Sequence, residues 1–159
     1  MKNLQIYCIS MEPSHLSFIK ELGYIPVGLG EKNFSNDWMR DNTGDNISDK
    51  NKYYSEFTFH YWIWKNYLDK LDDGWIGFCQ YRKFWSQNDC KTEHINIDNI
   101  KTKVLREIPK EFEEYESILT TSQFVNQWKT LKFIKKGLKI FLKKPYLIFN
   151  KKKRNLNFH

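Results

Sequence analysis

The chain has 159 residues, enough for one domain with a substantial core and too few for two ordinary domains. Its hydrophobic fraction of 40% suits a globular protein, and the lack of any run of about 18 apolar residues excludes a transmembrane helix. The formal net charge of +7 is uneven, because residues 127–159 hold ten Lys and one Arg without a single Asp or Glu. We therefore predict a mildly acidic domain over residues 1–125 and a basic helical tail over residues 126–159.

The N-terminal part of the chain predicts a strand, a helix and a second strand. Leu4 to Ile9 is apolar and β-prone, and Tyr24 to Leu29 repeats that character until glycines end it. Between them, Ser14 is a suitable N-cap for a helix from His15 to Leu22, and Gly23 suits the C-terminal end of that helix. A strand, a helix and a strand within so short a stretch indicate parallel pairing, and hence an α/β sheet.

A long polar stretch, Glu31 to Asn51, follows without hydrophobic periodicity. Loops of this length inside a compact domain are uncommon and usually functional. Its second half, Asp41 to Asn51, is so dense in short polar side chains that the backbone must turn, and its two Asp-Asn pairs favour Asx turns. Two interpretations stay open: the segment contacts a ligand, or it is a well-turned loop that caps the next helix.

An aromatic helix and a third strand come next. The helix is predicted from Lys52 to about Leu68, and its aromatic residues recur on more than one face, so we expect it to be buried over most of its circumference. Trp75 to Cys79 predicts a strand that ends in Gln80-Tyr81-Arg82-Lys83. Cations at the end of a strand, beside a polar loop, suit an anionic and hydroxyl-rich ligand such as a nucleotide-sugar.

The remaining segments are predicted to be largely helical. Thr102 to Lys110 is expected to be helical as far as Pro109. Phe112 to Thr120 is expected to be a helix that runs into a strand around Glu116 to Leu119. The last predicted helix extends from Phe124 to Leu142.

The predicted C-terminal helix is amphipathic. Leu131, Ile134, Leu138 and Phe141 form one apolar stripe, and lysines occupy the rest of its surface. A lysine-rich helix with an apolar face is typical of binding to an anionic membrane surface, which we assign to residues 127–159. The alternative is a helix packed on the domain with its lysines in solvent. Nucleic acid is not expected as a partner, because no nucleic-acid motif accompanies the lysines and arginine is scarce among them.

Three segments, in this order along the chain, resemble a known bacterial family. They are the loop Asp41 to Asn51, the helix that carries Glu56 and Tyr61 to Asn66, and the strand Ile76 to Cys79 with the Gln80-Tyr81-Arg82-Lys83 that follows. The chain resembles the capsular and exopolysaccharide glycosyltransferase-like group catalogued as domain of unknown function 4422, over about half its length. The resemblance implies an α/β fold of the GT-A-like, Rossmann-related kind, with a mainly parallel sheet flanked by helices.

The same resemblance implies a glycosyltransferase of surface polysaccharide synthesis. Such an enzyme transfers a sugar from a nucleotide-sugar, a UDP-sugar in the first instance, to a saccharide or lipid-linked acceptor. Members commonly have His-Tyr-Arg-Arg where this chain has Gln80 to Lys83; Gln cannot titrate, so no acid/base role is assigned there. Members also usually run well beyond this length, so we interpret the chain as an N-terminal portion, a truncated reading frame or an unusually short member. The alternatives are an inactive accessory fragment that retains donor binding, or a basic membrane-surface binding module.

Sugar transfer must neutralise a departing diphosphate, with a divalent metal or with cationic side chains. Because no Asp-x-Asp stands at the end of a predicted strand, we expect Arg82 to form a bidentate fork, and Mn²⁺ or Mg²⁺ stays an alternative cofactor without assigned ligands. The predicted catalytic residues are Asp45, Glu56 and Arg82. The predicted substrate-binding residues are Asp41, Asn42, Thr43, Gly44, Asn46, Ser48, Asn51, Gln80, Tyr81 and Lys83.

The expected location is the cytoplasm, at the inner face of the membrane. The N-terminal residues lack the pattern of a signal peptide. The three cysteines, Cys8, Cys79 and Cys90, are odd in number and widely spaced, which predicts free thiols in a reducing compartment.

Overall fold

The computed structural model describes residues 3–86, 97–120 and 130–143. The chain forms two units, Met1–Glu116 and Ser117–His159. The strands are β1 (Asn3–Ser10), β2 (Ile25–Gly28) and β3 (Gly74–Gln80), and the α-helices are α1 (Leu16–Glu21), α2 (Asn51–Tyr54), α3 (Phe57–Asn66), α4 (Ile97–Ile100) and α5 (Thr130–Lys143).

The sheet confirms the predicted α/β class. Its three strands are parallel and lie in the order β2-β1-β3, so that Cys8 of β1 has Pro26 on one side and Cys79 on the other. The chain therefore passes from β1 to β2 at one edge and returns to β3 at the other edge. This reversal creates a topological switch point at the carboxyl ends of β1 and β3, where open α/β sheets bind ligands.

The core lies between the sheet and α3. Tyr7 and Ile9 of β1 alternate with Ile6 and Cys8, so they share one face of the sheet, and they pack with Phe59 and other buried residues. Burial raises the pKa of the Tyr7 phenol to about 12, and its hydroxyl donates to Gln5 Oε1 at 2.9 Å. The Tyr7 ring contacts the Phe59 ring, with centroids 5.6 Å apart, which joins β1 to α3.

The aromatic helix differs from the prediction in two respects. It is interrupted at Ser55, whose φ of 51° and ψ of −130° separate α2 from α3. It is also not buried all round: Phe59 and Trp62 face the core, whereas Phe57 and Trp64 are 62% and 58% exposed. The expectation of burial over most of the circumference is therefore wrong, because only one side of α3 meets the sheet.

The segment after α4 also differs from the prediction. No helix begins at Thr102 and no strand forms over residues 116–119 within the described residues, and a short 3-10 helix, Lys110–Phe112, follows Pro109. Leu105 is buried instead by long-range contacts: its N–H donates to the Trp85 carbonyl at 2.9 Å, and its carbonyl accepts from the Tyr24 hydroxyl at 3.0 Å. Tertiary hydrogen bonds override the local helical pattern here.

The second unit contains α5, Thr130–Lys143. The predicted helix began at Phe124, and its first six positions lie outside the described residues. The prediction of a helix here is confirmed over the described part, which ends one residue beyond Leu142. No helix in the described ranges is long and apolar enough to cross a membrane.

Candidate functional site

A pocket of about 160 Å³ opens at the switch point. It is bounded by the carboxyl ends of β1 and β3 on the sheet and by the α2–α3 junction. Its lining residues are Ile9, Ser10, Met11, Leu29, Asn51, Ser55, Glu56, Gln80, Tyr81 and Arg82. Five of the residues predicted for the site, Asn51, Glu56, Gln80, Tyr81 and Arg82, are therefore brought together here.

A tight turn after β3 positions the cationic wall of the pocket. The Lys83 N–H donates to the Gln80 carbonyl at 2.9 Å, and the Tyr81 N–H donates to the Ile9 carbonyl at 3.1 Å, which ties the turn to β1. Arg82 lies at the tip of this turn with its guanidinium 5.6 Å from the Tyr81 ring centroid, and its side chain is exposed. The guanidinium is therefore available to an anionic ligand.

The acidic wall of the pocket comes from the start of α3. The Gln80 amide donates from Nε2 to Glu56 Oε1 at 3.0 Å, which joins the end of β3 to this helix. Gln80 is thus a neutral donor that orients a carboxylate. Glu56 bonds to Gln80, and Asp45 bonds to Tyr61, so neither carboxylate is an ion-pair partner of Arg82 among the described residues.

Sequence reasoning missed a polar group at the end of β1. Ser10 is buried, and its Oγ lies 2.8 Å from His15 Nδ1 while it accepts the Glu12 N–H at 3.0 Å. The His15 ring stacks on Tyr81, with centroids 4.4 Å apart and an interplanar angle of 24°. The available signal was a Ser at the carboxyl end of the first parallel strand, where ligand contacts are expected.

The α2–α3 junction supplies the third wall. The Asn51 amide donates from Nδ2 to the Ser55 carbonyl at 3.0 Å and to Thr58 Oγ1 at 3.1 Å, so it closes the turn between the two helices. Ser55 holds a positive φ that non-glycine residues rarely adopt. Strained backbone of this kind persists only where the surrounding structure enforces it.

His60 lies one turn beyond Glu56 on α3. Burial lowers the pKa of its imidazole, and the nearby Glu56 carboxylate partly opposes that effect. Its ring centroid is 4.3 Å from that of Phe78, and its Nε2 has no hydrogen-bond partner in the part of the chain that the structure describes. The lowered pKa favours the neutral form of the imidazole beside the acidic wall.

The structure places the centre of the polar loop away from the pocket. Asn66, at the C-terminal end of α3, accepts from the Asp45 N–H at 2.9 Å and donates to the Asp45 carbonyl at 2.7 Å. The Thr43 carbonyl accepts from Trp62 Nε1 at 2.7 Å. Because Glu56 precedes the other end of α3, ten residues separate it from Asn66, or roughly 15 Å along the helix axis. The Asp45 backbone is therefore fixed near the end of α3 opposite to Glu56, and Asp45 does not line the pocket.

Close packing explains the glycine of this loop. Gly44 has a φ of 61°, and a Cβ built there would collide with Asn66 Oδ1. The Asp45 carboxylate accepts from the Tyr61 hydroxyl at 3.1 Å, and this hydrogen bond raises the pKa of the Tyr61 phenol. The loop is thus fastened to α3 by its own backbone and side chains.

The other predicted residues are dispersed. Asn46 forms the predicted Asx turn, since its Oδ1 accepts from the Ser48 N–H at 3.2 Å and from the Ser48 hydroxyl at 2.8 Å. Asn42 and Lys83 are exposed and do not line the pocket. Asp41 is 2% exposed, and its Oδ2 has no hydrogen-bond partner among the described residues. Ligand roles for these residues stay predictions.

A metal centre is not evident in the described ranges. No group of three or more His, Cys, Asp or Glu side chains lies together there as potential ligands. Glu56 is the carboxylate that lines the pocket. The expectation of Mn²⁺ or Mg²⁺ accordingly stays a prediction, which is tested by measuring donor binding with and without the metal.

A family model and a solved structure match the chain. A family model described as "Domain of unknown function (DUF4422)" matches residues 5–154, well beyond Trp85, where the resembling motifs end. No curated protein matches the chain. The apo structure of the bifunctional glycosyltransferase WbbM matches with 28% sequence identity and a TM-score of 0.37, over 59% of this chain and 16% of that chain. The chain thus spans about one sixth of that solved structure.

Proposed function

The chain belongs to the family described as domain of unknown function 4422, and on that premise we propose that it binds a nucleotide-sugar at the switch-point pocket and transfers the sugar. The observation that carries this proposal is the position of Arg82 and the Glu56–Gln80 pair in one pocket at the carboxyl ends of parallel strands. That position suits a phosphorylated ligand in an open α/β sheet. We extend the proposal to surface polysaccharide synthesis, with a UDP-sugar as donor and a saccharide or lipid-linked acceptor.

Arg82 is proposed to bind the diphosphate. A guanidinium presents parallel N–H donors to phosphate oxygens and stays charged at any physiological pH. Its charge would stabilise the negative charge that develops on the leaving diphosphate. The pocket of about 160 Å³ is smaller than the roughly 300–1,000 Å³ of ordinary small-molecule sites, so it would hold the diphosphate and sugar rather than the whole donor.

Glu56 is proposed to act on the acceptor. The acceptor oxygen attacks the anomeric carbon, the bond from that carbon to the diphosphate oxygen breaks, and the diphosphate keeps the electron pair. The proton leaves the acceptor hydroxyl for Glu56, whose second oxygen has no hydrogen-bond partner among the described residues while Oε1 accepts from Gln80. Asp45 has no part in this step, because it is held at the far end of α3.

Calorimetric titration of the full chain tests the donor site. We expect saturable binding of at least one of UDP-glucose, UDP-galactose and UDP-N-acetylglucosamine, measured with and without Mn²⁺. Arg82→Ala should weaken that binding roughly tenfold to a hundredfold, since hydrogen bonds to charged groups contribute about 1.5–3 kcal/mol. Arg106→Ala, which removes another exposed arginine that hydrogen-bonds the Lys101 carbonyl, is the matched control and should leave the affinity unchanged.

The outcomes separate the proposed activity from its alternatives. Binding that is equally weak in both arginine variants would refute the assignment of Arg82. Specific binding without release of UDP in the presence of acceptor saccharides would favour an accessory protein that retains only the donor site. Absence of binding by the folded protein to every donor, with and without Mn²⁺, would overturn the proposed function.

A further inference from the structure

Helix α5 carries an apolar row that solvent reaches. Ile134, Leu138 and Leu142 follow one another at intervals of four residues, so they lie on one side of the helix. Their exposed fractions are 55%, 58% and 71%, whereas apolar side chains of this size are usually buried. An exposed row of three such residues marks a surface that meets an apolar environment.

A row of cations runs directly beside it. Lys135, Lys139 and Lys143 repeat the same four-residue interval one position further along, so each lysine neighbours an apolar residue around the helix. All three are exposed. Residues 127–159 contain ten Lys and one Arg and no carboxylate, so no acidic side chain of this segment neutralises the row.

We propose that α5 lies in the interface of an anionic membrane, with the Ile134–Leu138–Leu142 row among the acyl chains and the lysine row at the phosphates. Charge complementarity selects a negatively charged lipid surface, and the apolar row distinguishes a bilayer from other polyanions. The helix has 14 residues and is about 21 Å long, too short to span an acyl region of about 30 Å. It therefore rests on the membrane, parallel to its surface.

Vesicle flotation with the full chain tests this docking. The wild type should float with vesicles of phosphatidylcholine and phosphatidylglycerol and should stay behind with vesicles of phosphatidylcholine alone. Lys135→Gln, Lys139→Gln and Lys143→Gln together should weaken binding roughly a hundredfold, from about fivefold per lysine near an anionic surface. The matched control removes the same charge from the first unit, at the exposed residues Lys50, Lys70 and Lys110, and should keep full binding.

A second variant separates a membrane from other polyanions. Ile134→Ser, Leu138→Ser and Leu142→Ser together keep every charge but remove the apolar row, and they should abolish flotation. Retention of binding by this variant would show that the lysines act alone, as they would on nucleic acid, and would overturn the inference. An equal loss in the first-unit control would also overturn it. The donor site lies in the other unit, so failure here leaves the proposed function untouched.

Discussion

Replacement of Ser55 by glycine tests the strain at the α2–α3 junction. Ser55 adopts φ 51° and ψ −130°, a conformation that glycine adopts freely and that a Cβ opposes. Its backbone is fully engaged, since its N–H donates to the Asn51 carbonyl at 2.8 Å and its carbonyl accepts from Asn51 and Thr58. The side chain is exposed, so its removal leaves no cavity.

The magnitude follows from two opposing terms. Relief of the strained conformation is worth about 1–3 kcal/mol. Glycine offsets part of this gain, by about 0.5–1 kcal/mol, because it increases the conformational entropy of the unfolded chain. The net expectation for Ser55→Gly is a rise of about 1 kcal/mol in the free energy of unfolding, which corresponds to roughly 2–4 °C in Tm for a chain of this size.

Urea denaturation and thermal melting measure the effect, with Ser55→Ala as the control. Alanine lacks the hydroxyl but keeps the Cβ, so its free energy of unfolding should stay within about 0.5 kcal/mol of the wild type. An equal gain in the alanine variant would assign the effect to the hydroxyl rather than to the backbone. A loss of stability in Ser55→Gly would refute the strain at this residue altogether.

Three further predictions concern the loop, the core and pH. Gly44→Ala should lower the free energy of unfolding, measured by urea denaturation, by about 2 kcal/mol, because it forces a Cβ into a positive φ and displaces Asn66. The affinity of this variant for the donor should not change, and a change would place the loop in the site. Tyr24→Phe should lower the free energy of unfolding by about 1–2 kcal/mol, because it leaves the buried Leu105 carbonyl without its donor. An unchanged free energy of unfolding would contradict a stabilising role for this hydrogen bond. Burial lowers the pKa of His60 below its unfolded value, so the unfolded chain takes up the proton first. Stability should therefore fall as pH drops below about 6.5, and His60→Phe should flatten the urea midpoint measured across that range.

The strands of the sheet could be predicted from the sequence because each strand is encoded by its own local residues. Leu4 to Ile9 and Trp75 to Cys79 are short apolar runs with turn residues at their ends. Each observed strand extends one residue further at both ends. The helix between the first two strands implied parallel pairing, since parallel strands need a crossover connection. The cations at the end of the third strand followed from the same reasoning, and Arg82 lines the pocket whereas Lys83 does not.

Contacts between residues distant in sequence decided the rest. Asn66 holds Asp45 across 21 residues, which draws the polar loop to the far end of α3 although its composition suggested a ligand site. The Tyr24 hydroxyl donates to the carbonyl of Leu105, 81 residues away in sequence, and this contact overrides the helical pattern around Leu105.

The pocket itself combines residues from four parts of the chain, three of which supply polar side chains. Ser10, Glu56 and Arg82 come from a strand end, a helix junction and a turn, and no periodicity relates them. The sequence by itself determined which segments become strands and which residues could bind an anion. Only the tertiary structure decided which of those residues meet, because the strand order and the path of α3 depend on the packing of the whole core.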